Sequence, residues 1–484
     1  MNRPIAGRVL AIIFLGTLSF IVIYKAIHIP ITFDESSTFG ITEQPIRQVM
    51  LNLNWDNSPS NWPNNHILNT LLTKASVNIF SMAPWALRLP NILAFLLFGL
   101  AVYVLAVKYF SASPWLFMLP VVLISTDPYV LDFFSVARGY GMGSSFMVCS
   151  IVGLLAYVSS SRMCWYYIAI LLAALAAYAQ FTFLLYWLAL HILLVILFLT
   201  QKNLNKRRWH IALSTIIVGI IFWALWTYPL MHIQQGVRHD YPVAGGFFET
   251  TIVNSASNFL YGKPLPFLSP HMLAWIAIVT IIFGAVYCSV KVSKKALSLA
   301  DPLILVSILL ALVWLINMLQ VYISHTTYLT HRIALIYYLL FVFVVIFLIR
   351  DIAAYHRILA RASALAILLF FLVNFSRTVT LKSVYEWSYD AYTYDVVGYL
   401  RDYRQKHPES QTIEIKLGGH FYPSFFYYHY MDYKNLRWLD ITTRFDTVTQ
   451  PLFYYATADE EPKLIHYKPA QSFGPDGQVL MIHR

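Results

Sequence analysis

Long apolar runs separated by short polar connections set the pattern of this chain from residue 9 onward. The runs fall at 9–29, 85–107, 114–131, 140–158, 165–178, 181–200, 211–230, 272–290, 302–323, 333–349 and 362–375. Crossing a bilayer takes roughly 17–25 apolar residues in a helix, so the pattern predicts about eleven transmembrane helices. The fifth run is short and predicts a tight hairpin with the sixth around Gln180. The first run follows Arg3 and Arg8 as a signal peptide would, but it is long and lacks a small-residue cleavage site, which predicts a retained anchor. Two long polar interruptions stand out, at 30–84 and 231–270. Within the first, 42–53 and 67–80 carry mixed spacing that predicts short interfacial helices. Ile67, Leu68, Leu71, Leu72, Ala75 and Ile79 recur there at helical intervals.

After Arg377 the period changes. Residues 412–416, 452–455 and 479–482 alternate like strands, 392–404 has a helical period, and the GPDG at 474–477 signals a turn. The predicted architecture is therefore an α-helical polytopic membrane unit over 1–376 with a small C-terminal α/β domain over 377–484, a length sufficient for a separate core.

Composition excludes a soluble enzyme: 58% of residues are hydrophobic, 12% are charged and the mean hydropathy is +0.60. The net charge of +11 could suggest nucleic acid, but its distribution argues otherwise. Arg3, Arg8, Lys108, Arg162, Lys202, Lys206, Arg207, Arg208, Lys291, Lys294, Lys295, Arg350, Arg357 and Arg361 all fall on one side of the predicted topology. Basic residues in short loops mark the cytoplasmic face, so they serve orientation and the lipid bilayer, with no nucleic-acid partner implied. The N-terminus is then cytoplasmic, and the loops 30–84 and 231–270, the turn 127–139 and the C-terminal domain face outward. Cys149, Cys164 and Cys288 lie in or beside the apolar runs and imply no disulfide framework.

Candidate chemistry gathers in the first outward loop. Asp34-Glu35 follows the first run closely, and a carboxylate at a bilayer edge is costly to keep. Asp56 and the amide-imidazole stretch Asn64-Asn65-His66 follow. A structural reading stands beside this one, with Asp34 capping a short helix that begins near Glu35. The runs themselves carry little charge: there is no acid or base between Arg88 and Lys108, or across 142–161. Ion-coupled transport needs ionisable groups well inside the helices, so the placement favours chemistry at the outer interface on a membrane-embedded substrate.

Phe33-Asp34-Glu35, Asn65-His66-Ile67-Leu68, Trp85-Ala86-Leu87-Arg88-Leu89-Pro90 and Arg138-Gly139-Tyr140 occur in an order that resembles the GT-C superfamily of integral-membrane glycosyltransferases, close to the protein mannosyltransferase and aminoarabinose transferase group. The likeness is densest over the first 150 residues. Many relatives have a His-Pro-Pro-type stretch where this chain has Asn64-Asn65-His66-Ile67.

The resemblance implies an inverting transfer of a sugar from a polyprenyl-phosphate donor to an envelope acceptor (lipid, glycan or protein) on the outer face of a bacterial cytoplasmic membrane. It makes Asp34 the catalytic base and Glu35 a supporting acid. It places Arg138 with Tyr140, and His331 with Arg332, near the donor phosphate, with Lys263 and Arg238 as secondary candidates. Apart from the resemblance, the side-chain chemistry of Asp56, Asn65 and His66 makes them candidates for the acceptor site or for a divalent metal with Asp34. The spacing fits no specific metal motif, and a hydrogen-bonded structural His66 is the competing reading. Related mannosyltransferases work without a metal, and no cofactor is otherwise implied. Two readings from other classes remain: a flippase or transporter of lipid-linked sugars, and an envelope scaffold without activity.

Overall fold

The computed structural model describes residues 3–483 apart from 59, 61–64, 201–207, 241–244, 294–297, 410–411, 443–449, 458–459, 465 and 475–477. Helix α1 (Arg3–His28) leads into the first polar loop, which folds into α2 (Phe33–Thr42), α3 (Ile46–Leu51) and α4 (Ile67–Ile79). There follow α5 (Pro84–Tyr109), α6 (Pro114–Ser125), the short α7 (Pro128–Asp132), α8 (Gly139–Ser160), α9 (Met163–Ala179), α10 (Leu184–Thr200) and α11 (Arg208–Asp240). The second polar loop contains α12 (Asn254–Phe259), and α13 (Pro270–Ser293), α14 (Pro302–Ser324), α15 (Leu335–Tyr355) and α16 (Arg357–Thr378) complete the helical unit.

Among the described residues nine helices are long and apolar enough to cross a membrane, and Pro114–Ser125 and Met163–Ala179 are two shorter apolar ones. Each of the eleven apolar runs corresponds to one of these helices. The third run differs in form, because its helix stops at Ser125 and restarts as α7. Asp127 precedes Pro128, which disfavours helical geometry at Asp127, and its ψ is 114°. Its carboxylate then caps α7, accepting from the backbone N–H of Tyr129 at 2.8 Å and of Val130 at 3.2 Å. The α9–α10 hairpin turns at Gln180 through a single 3-10 turn, Phe181–Phe183.

Helix α8 is enclosed on almost all sides. Small residues let its neighbours approach: a Cβ on Gly153 would meet the backbone of Ala169 in α9 at 3.3 Å. By contrast α13 is largely exposed and lies at the periphery.

Beyond α16 the chain forms a five-stranded sheet in the order β2-β1-β3-β5-β4, with β1 (Ile413–Leu417), β2 (Leu439–Thr442), β3 (Phe453–Ala456), β4 (Tyr467–Phe473) and β5 (Gln478–His483). Strand β1 runs parallel to β2 and β3, whereas β5 is antiparallel to β3 and β4. Helices α17 (Thr393–Lys406), α18 (Tyr422–Met431) and α19 (Tyr433–Leu436) accompany the sheet. The core of this domain (Val396, Leu400, Ile413, Ile415, Phe425, Phe453 and Tyr455 among others) is separate from that of the helical unit. The three strands and the helix read from the sequence period are β1, β3, β5 and α17. Strands β2 and β4 are not among those read from the sequence; both are edges, β2 is only four residues long, and β4 contains Pro469 beside a register shift, which an edge strand accommodates. Gly474 has a positive φ of 63°, while the rest of the expected GPDG turn lies outside the described residues.

The two units meet through α18 and α2. Phe39 packs edge-on against Tyr427 and Tyr430, with ring centroids 5.1 and 5.5 Å away. The Tyr428 hydroxyl accepts from Ile31 N–H at 2.9 Å, and the Tyr427 hydroxyl donates to the Met82 carbonyl at 2.7 Å.

Candidate active site

Helix α2 begins where α1 ends, and its first turn carries both acids of the Asp34-Glu35 pair. The N-cap is Thr32, three residues ahead of Glu35, so Asp34 is not the cap. Adjacent residues on a helix point about 100° apart, and the two carboxylates accordingly meet different surroundings.

Glu35 faces the scaffold and is fully buried. Arg88 grips it with both forks, Nε to Oε1 and Nη2 to Oε2, each at 2.7 Å. The carboxylate also accepts from Ala137 N–H at 2.7 Å, Thr32 N–H at 3.0 Å and Thr32 Oγ1 at 3.2 Å. The remaining Arg88 donors reach the carbonyls of Ala26 (3.1 Å), Ile29 (2.9 Å) and Pro30 (2.8 Å). This pair joins the end of α1, the start of α2, α5 and the approach to α8. Removing one partner of such a buried pair costs about 3–5 kcal/mol.

Asp34 turns the other way, toward two arginines. Arg332 Nη2 lies 3.1 Å and Arg138 Nη2 3.3 Å from Asp34 Oδ2. Arg138, the N-cap of α8, also donates from Nη1 to the Asp34 carbonyl and to Thr38 Oγ1, both at 3.1 Å. The Glu35 contact to Ala137 therefore fixes the residue immediately before Arg138. Arg332 comes from the 3-10 turn His331–Ala334 that opens α15. Its Nε donates to the Tyr140 hydroxyl at 3.0 Å, its Nη1 to Glu386 Oε1 at 2.6 Å, and its guanidinium carbon lies 5.2 Å from the centre of the Trp387 ring.

Glu386 in turn accepts from the Tyr129 hydroxyl at 2.5 Å. Two full positive charges, those of Arg138 and Arg332, thus face two carboxylates, those of Asp34 and Glu386. Arg332 is the most accessible of the four, its side chain being 19% exposed.

His66 completes the inner wall, its ring 4.8 Å from that of Tyr140. Neither ring nitrogen has a hydrogen bond of ordinary geometry, although the Gln180 side chain and Ala179 backbone lie beside it. Burial and the charges of Arg138 and Arg332 hold its pKa well below the usual histidine range, so the imidazole is neutral. The wall is tight: a Cβ on Gly139 would lie 1.9 Å from the Ala179 carbonyl oxygen and 2.9 Å from His66 Cβ.

The sequence candidates therefore separate. Asp34, Arg138, Tyr140, Arg332 and His66 share one site. Glu35 is bound to Arg88 and the backbone around it. Asn65 bridges the Val49 carbonyl (2.7 Å) and Thr70 Oγ1 (3.0 Å), an internal brace of the first loop. Asp56 sits on an exposed turn, bound to Ser58 N–H at 3.0 Å and Ser58 Oγ at 2.6 Å, which lower its pKa. His331 is exposed, with a φ of 45°; Asn254 accepts from its N–H at 2.7 Å and has Nδ2 3.3 Å from its Nε2. Lys263 is exposed and its carbonyl accepts from Arg377 at 3.0 Å. Arg238 falls in α11, and its side chain lies outside the described residues. Among the described residues no group of three or more His, Cys, Asp or Glu side chains is placed to hold a metal ion.

Sequence reasoning passed over Arg88, Glu386 and Asp390 as site residues. Arg88 had a signal, being a lone charge at the head of an apolar run, where a charge needs a partner. Asp390, buried in the segment after α16, accepts from Phe33 N–H at 2.7 Å and from Ser424 Oγ at 2.6 Å, and so pins the start of α2 to the C-terminal domain. A further buried pair, Lys25 with Asp132, ties α1 to α7, and Asp132 also accepts from the Tyr261 hydroxyl at 2.6 Å and Tyr385 N–H at 2.8 Å.

No family model and no curated protein matches the sequence. Among solved structures the chain is similar to the crystal structure of ArnT from Cupriavidus metallidurans bound to undecaprenyl phosphate, with a TM-score of 0.43 and 14% identity over 97% of each chain. It is likewise similar to ArnT from Cupriavidus metallidurans in the apo state, with a TM-score of 0.48 and 13% identity over 97% of each chain.

Proposed function

We propose that this chain is an inverting glycosyltransferase that moves a sugar from a polyprenyl-phosphate donor to a hydroxyl-bearing envelope acceptor. The observation that carries the reading is the convergence on Asp34 of Arg138 and Arg332, at 3.3 and 3.1 Å, from the starts of two different membrane helices. A carboxylate flanked by guanidinium groups at the end of a helical bundle offers the two functions such a transfer requires. One is a base for the acceptor; the other is positive charge for the phosphate that departs.

In the step itself, Asp34 takes the proton of the acceptor hydroxyl as its oxygen bonds to the anomeric carbon. The bond from that carbon to the donor phosphate oxygen breaks on the opposite face, and the electron pair leaves with the polyprenyl phosphate. Arg332 and Arg138 meet the added negative charge, Arg332 first because it is the more exposed. Guanidinium suits this work, since its planar fork matches phosphate and stays charged. Tyr140 orients Arg332, and the neutral His66 supports the Tyr140 ring from the inner wall. Glu35 and Arg88 act as positioning residues.

The test is transfer by the chain in nanodiscs supplied with radiolabelled polyprenyl-phosphate sugar and an envelope extract. Label entering the acceptor fraction in an Asp34-dependent manner supports the reading. In sealed vesicles, label that crosses the bilayer while remaining lipid-linked would replace it with transport.

A further inference from the structure

We propose that the C-terminal domain rests on the bilayer through one face of α18, so that the lipid surface is a structural partner of the helix that carries Asp34. The first observation is where this domain exposes apolar side chains. Among its described residues the exposed large hydrophobics are Leu381, Tyr394, Phe426, Tyr430 and Met431. Phe426, Tyr430 and Met431, which are 46%, 51% and 40% exposed, lie on α18 itself. Tyr394 packs on the same helix, its ring 5.5 Å from that of Tyr428, and Leu381 follows closely after the last membrane helix ends at Thr378. The rest of the domain's described surface shows no comparable side chain.

The second observation fixes the depth of that face. Tyr427, between Phe426 and Tyr430, donates to the Met82 carbonyl at 2.7 Å. Met82 lies two residues ahead of Pro84, where a 26-residue apolar helix begins. The end of a membrane helix sits at the interface, where amphipathic rings collect. Phe80 and Trp85 do so here, both exposed and with ring centroids 5.4 Å apart. Helix α18 is therefore held level with the edge of the hydrocarbon. Along it Tyr422, Phe426 and Tyr430 stack in sequence, each pair 6.2 Å apart, and the exposed Lys434 and Arg437 follow where headgroup phosphates would lie. An apolar ring face with basic residues beside it is the make-up of an interfacial helix.

The consequence reaches the site. The same helix holds α2: Phe39 packs on Tyr427 and on Tyr430, and the Tyr428 hydroxyl accepts from Ile31 N–H just ahead of α2. Lipid contact at Phe426 and Tyr430 thus restrains the helix on which Asp34 sits. The proposal rests on the membrane reading of the apolar helices and not on the glycosyltransferase reading.

The experiment places a nitroxide on Phe426→Cys, and separately on Gln471→Cys, an exposed position on β4. The background has Cys149, Cys164 and Cys288 replaced by Ser, and each nanodisc holds one copy of the chain. Power saturation compares collisions with oxygen, concentrated in lipid, and with a nickel chelate, confined to water. The expected result is an oxygen-dominated label at 426 and a nickel-dominated label at 471. A label at 426 as open to nickel as that at 471 overturns the proposal. So does a label shielded from both reagents, which would mean a covering protein. The unsubstituted chain supplies a second measurement, hydroxyl-radical footprinting in nanodiscs. Phe426 and Tyr430 should be protected relative to the exposed His466, and oxidation of all three alike would count against lipid contact.

Discussion

Arg332 and Glu386 form a 2.6 Å contact that ties the membrane helices to the segment just beyond them, and it occupies a guanidinium fork that the proposed function assigns to phosphate. Arg332 is shared between two carboxylates, Asp34 and Glu386, before any donor arrives. A donor phosphodiester must compete with Glu386 for the same N–H groups. Glu386→Gln keeps the shape and an acceptor for Arg332 but removes the competing charge. The expected outcome is a donor KM about 3- to 10-fold lower, as losing a partly exposed charge pair shifts binding by about 1 kcal/mol. Titration of donor at saturating acceptor measures it.

Asp34→Asn retains the hydrogen-bond geometry toward Arg138 and Arg332 but cannot take a proton. Turnover should fall by about 10²- to 10⁴-fold, the usual loss when general-base help is removed. Binding of polyprenyl phosphate should be unchanged or tighter, because both arginines lose an anionic partner. Single-turnover transfer and a separate lipid-binding titration distinguish the two effects. Arg332→Ala should weaken that binding, and Arg332→Lys should restore only part of it, a point charge replacing a fork.

The helical architecture is legible in the sequence because an apolar run long enough to cross a bilayer is a direct statement about solvent. The break at Asp127-Pro128 is equally local, yet a hydropathy window averages over it. In the C-terminal domain, β1 alternates and β3 and β5 are short, mostly buried apolar segments, whereas the edge strand β2 is only four residues long and β4 carries polar residues and a proline. The site divides in the same manner. Asp34 announces itself as a charge at a bilayer edge. That Glu35 answers to Arg88 instead depends on a contact 53 residues away, and the Phe33–Asp390 bond spans 357. No local pattern encodes such distances. The sequence raises the expectation that Arg138 and Arg332 lie near one anionic group, and their meeting at Asp34 comes from the packing of α8 and α15.

Gly139 offers a purely steric test of how closely the site wall is packed. Alanine there would put a methyl group 1.9 Å from the Ala179 carbonyl oxygen and 2.9 Å from His66 Cβ, and the first of these contacts is with backbone. Gly139→Ala should therefore push α8 from α9, lower the melting temperature and displace Arg138 and Tyr140 on either side of it. Overpacking of this kind costs about 1–3 kcal/mol or more. A methyl group added at Gly40, in α2, would meet nothing within 4 Å. Gly40→Ala should accordingly be neutral or stabilising by up to about 1 kcal/mol, through helix propensity alone. Thermal unfolding of the two variants in one detergent makes the comparison.

Asp390 gives the fold a pH dependence whose sign follows from its surroundings. Burial pushes its carboxyl well above the ordinary aspartate range, and the charges of Glu35 and Asp34 add to the rise, against the bonds from Ser424 and Phe33. The folded state thus keeps a proton that the unfolded chain releases near pH ~4. The stabilisation from this group is full below that pH and is lost as pH rises toward the raised folded value. Asp390→Asn mimics the neutral acid: its carbonyl accepts from Phe33 N–H and its amide donates to Ser424 Oγ. The melting temperature of this variant should fall less between about pH 5 and pH 8 than that of the unsubstituted chain, with transfer activity retained. Asp390→Ala should instead lose stability at every pH, since a buried donor left without its acceptor costs about 1–3 kcal/mol. It should also slow transfer, because the Phe33 N–H it abandons belongs to the residue next to Asp34. Melting curves across that pH range, paired with transfer rates, check both halves, and an unchanged pH slope in Asp390→Asn would assign the dependence to another group.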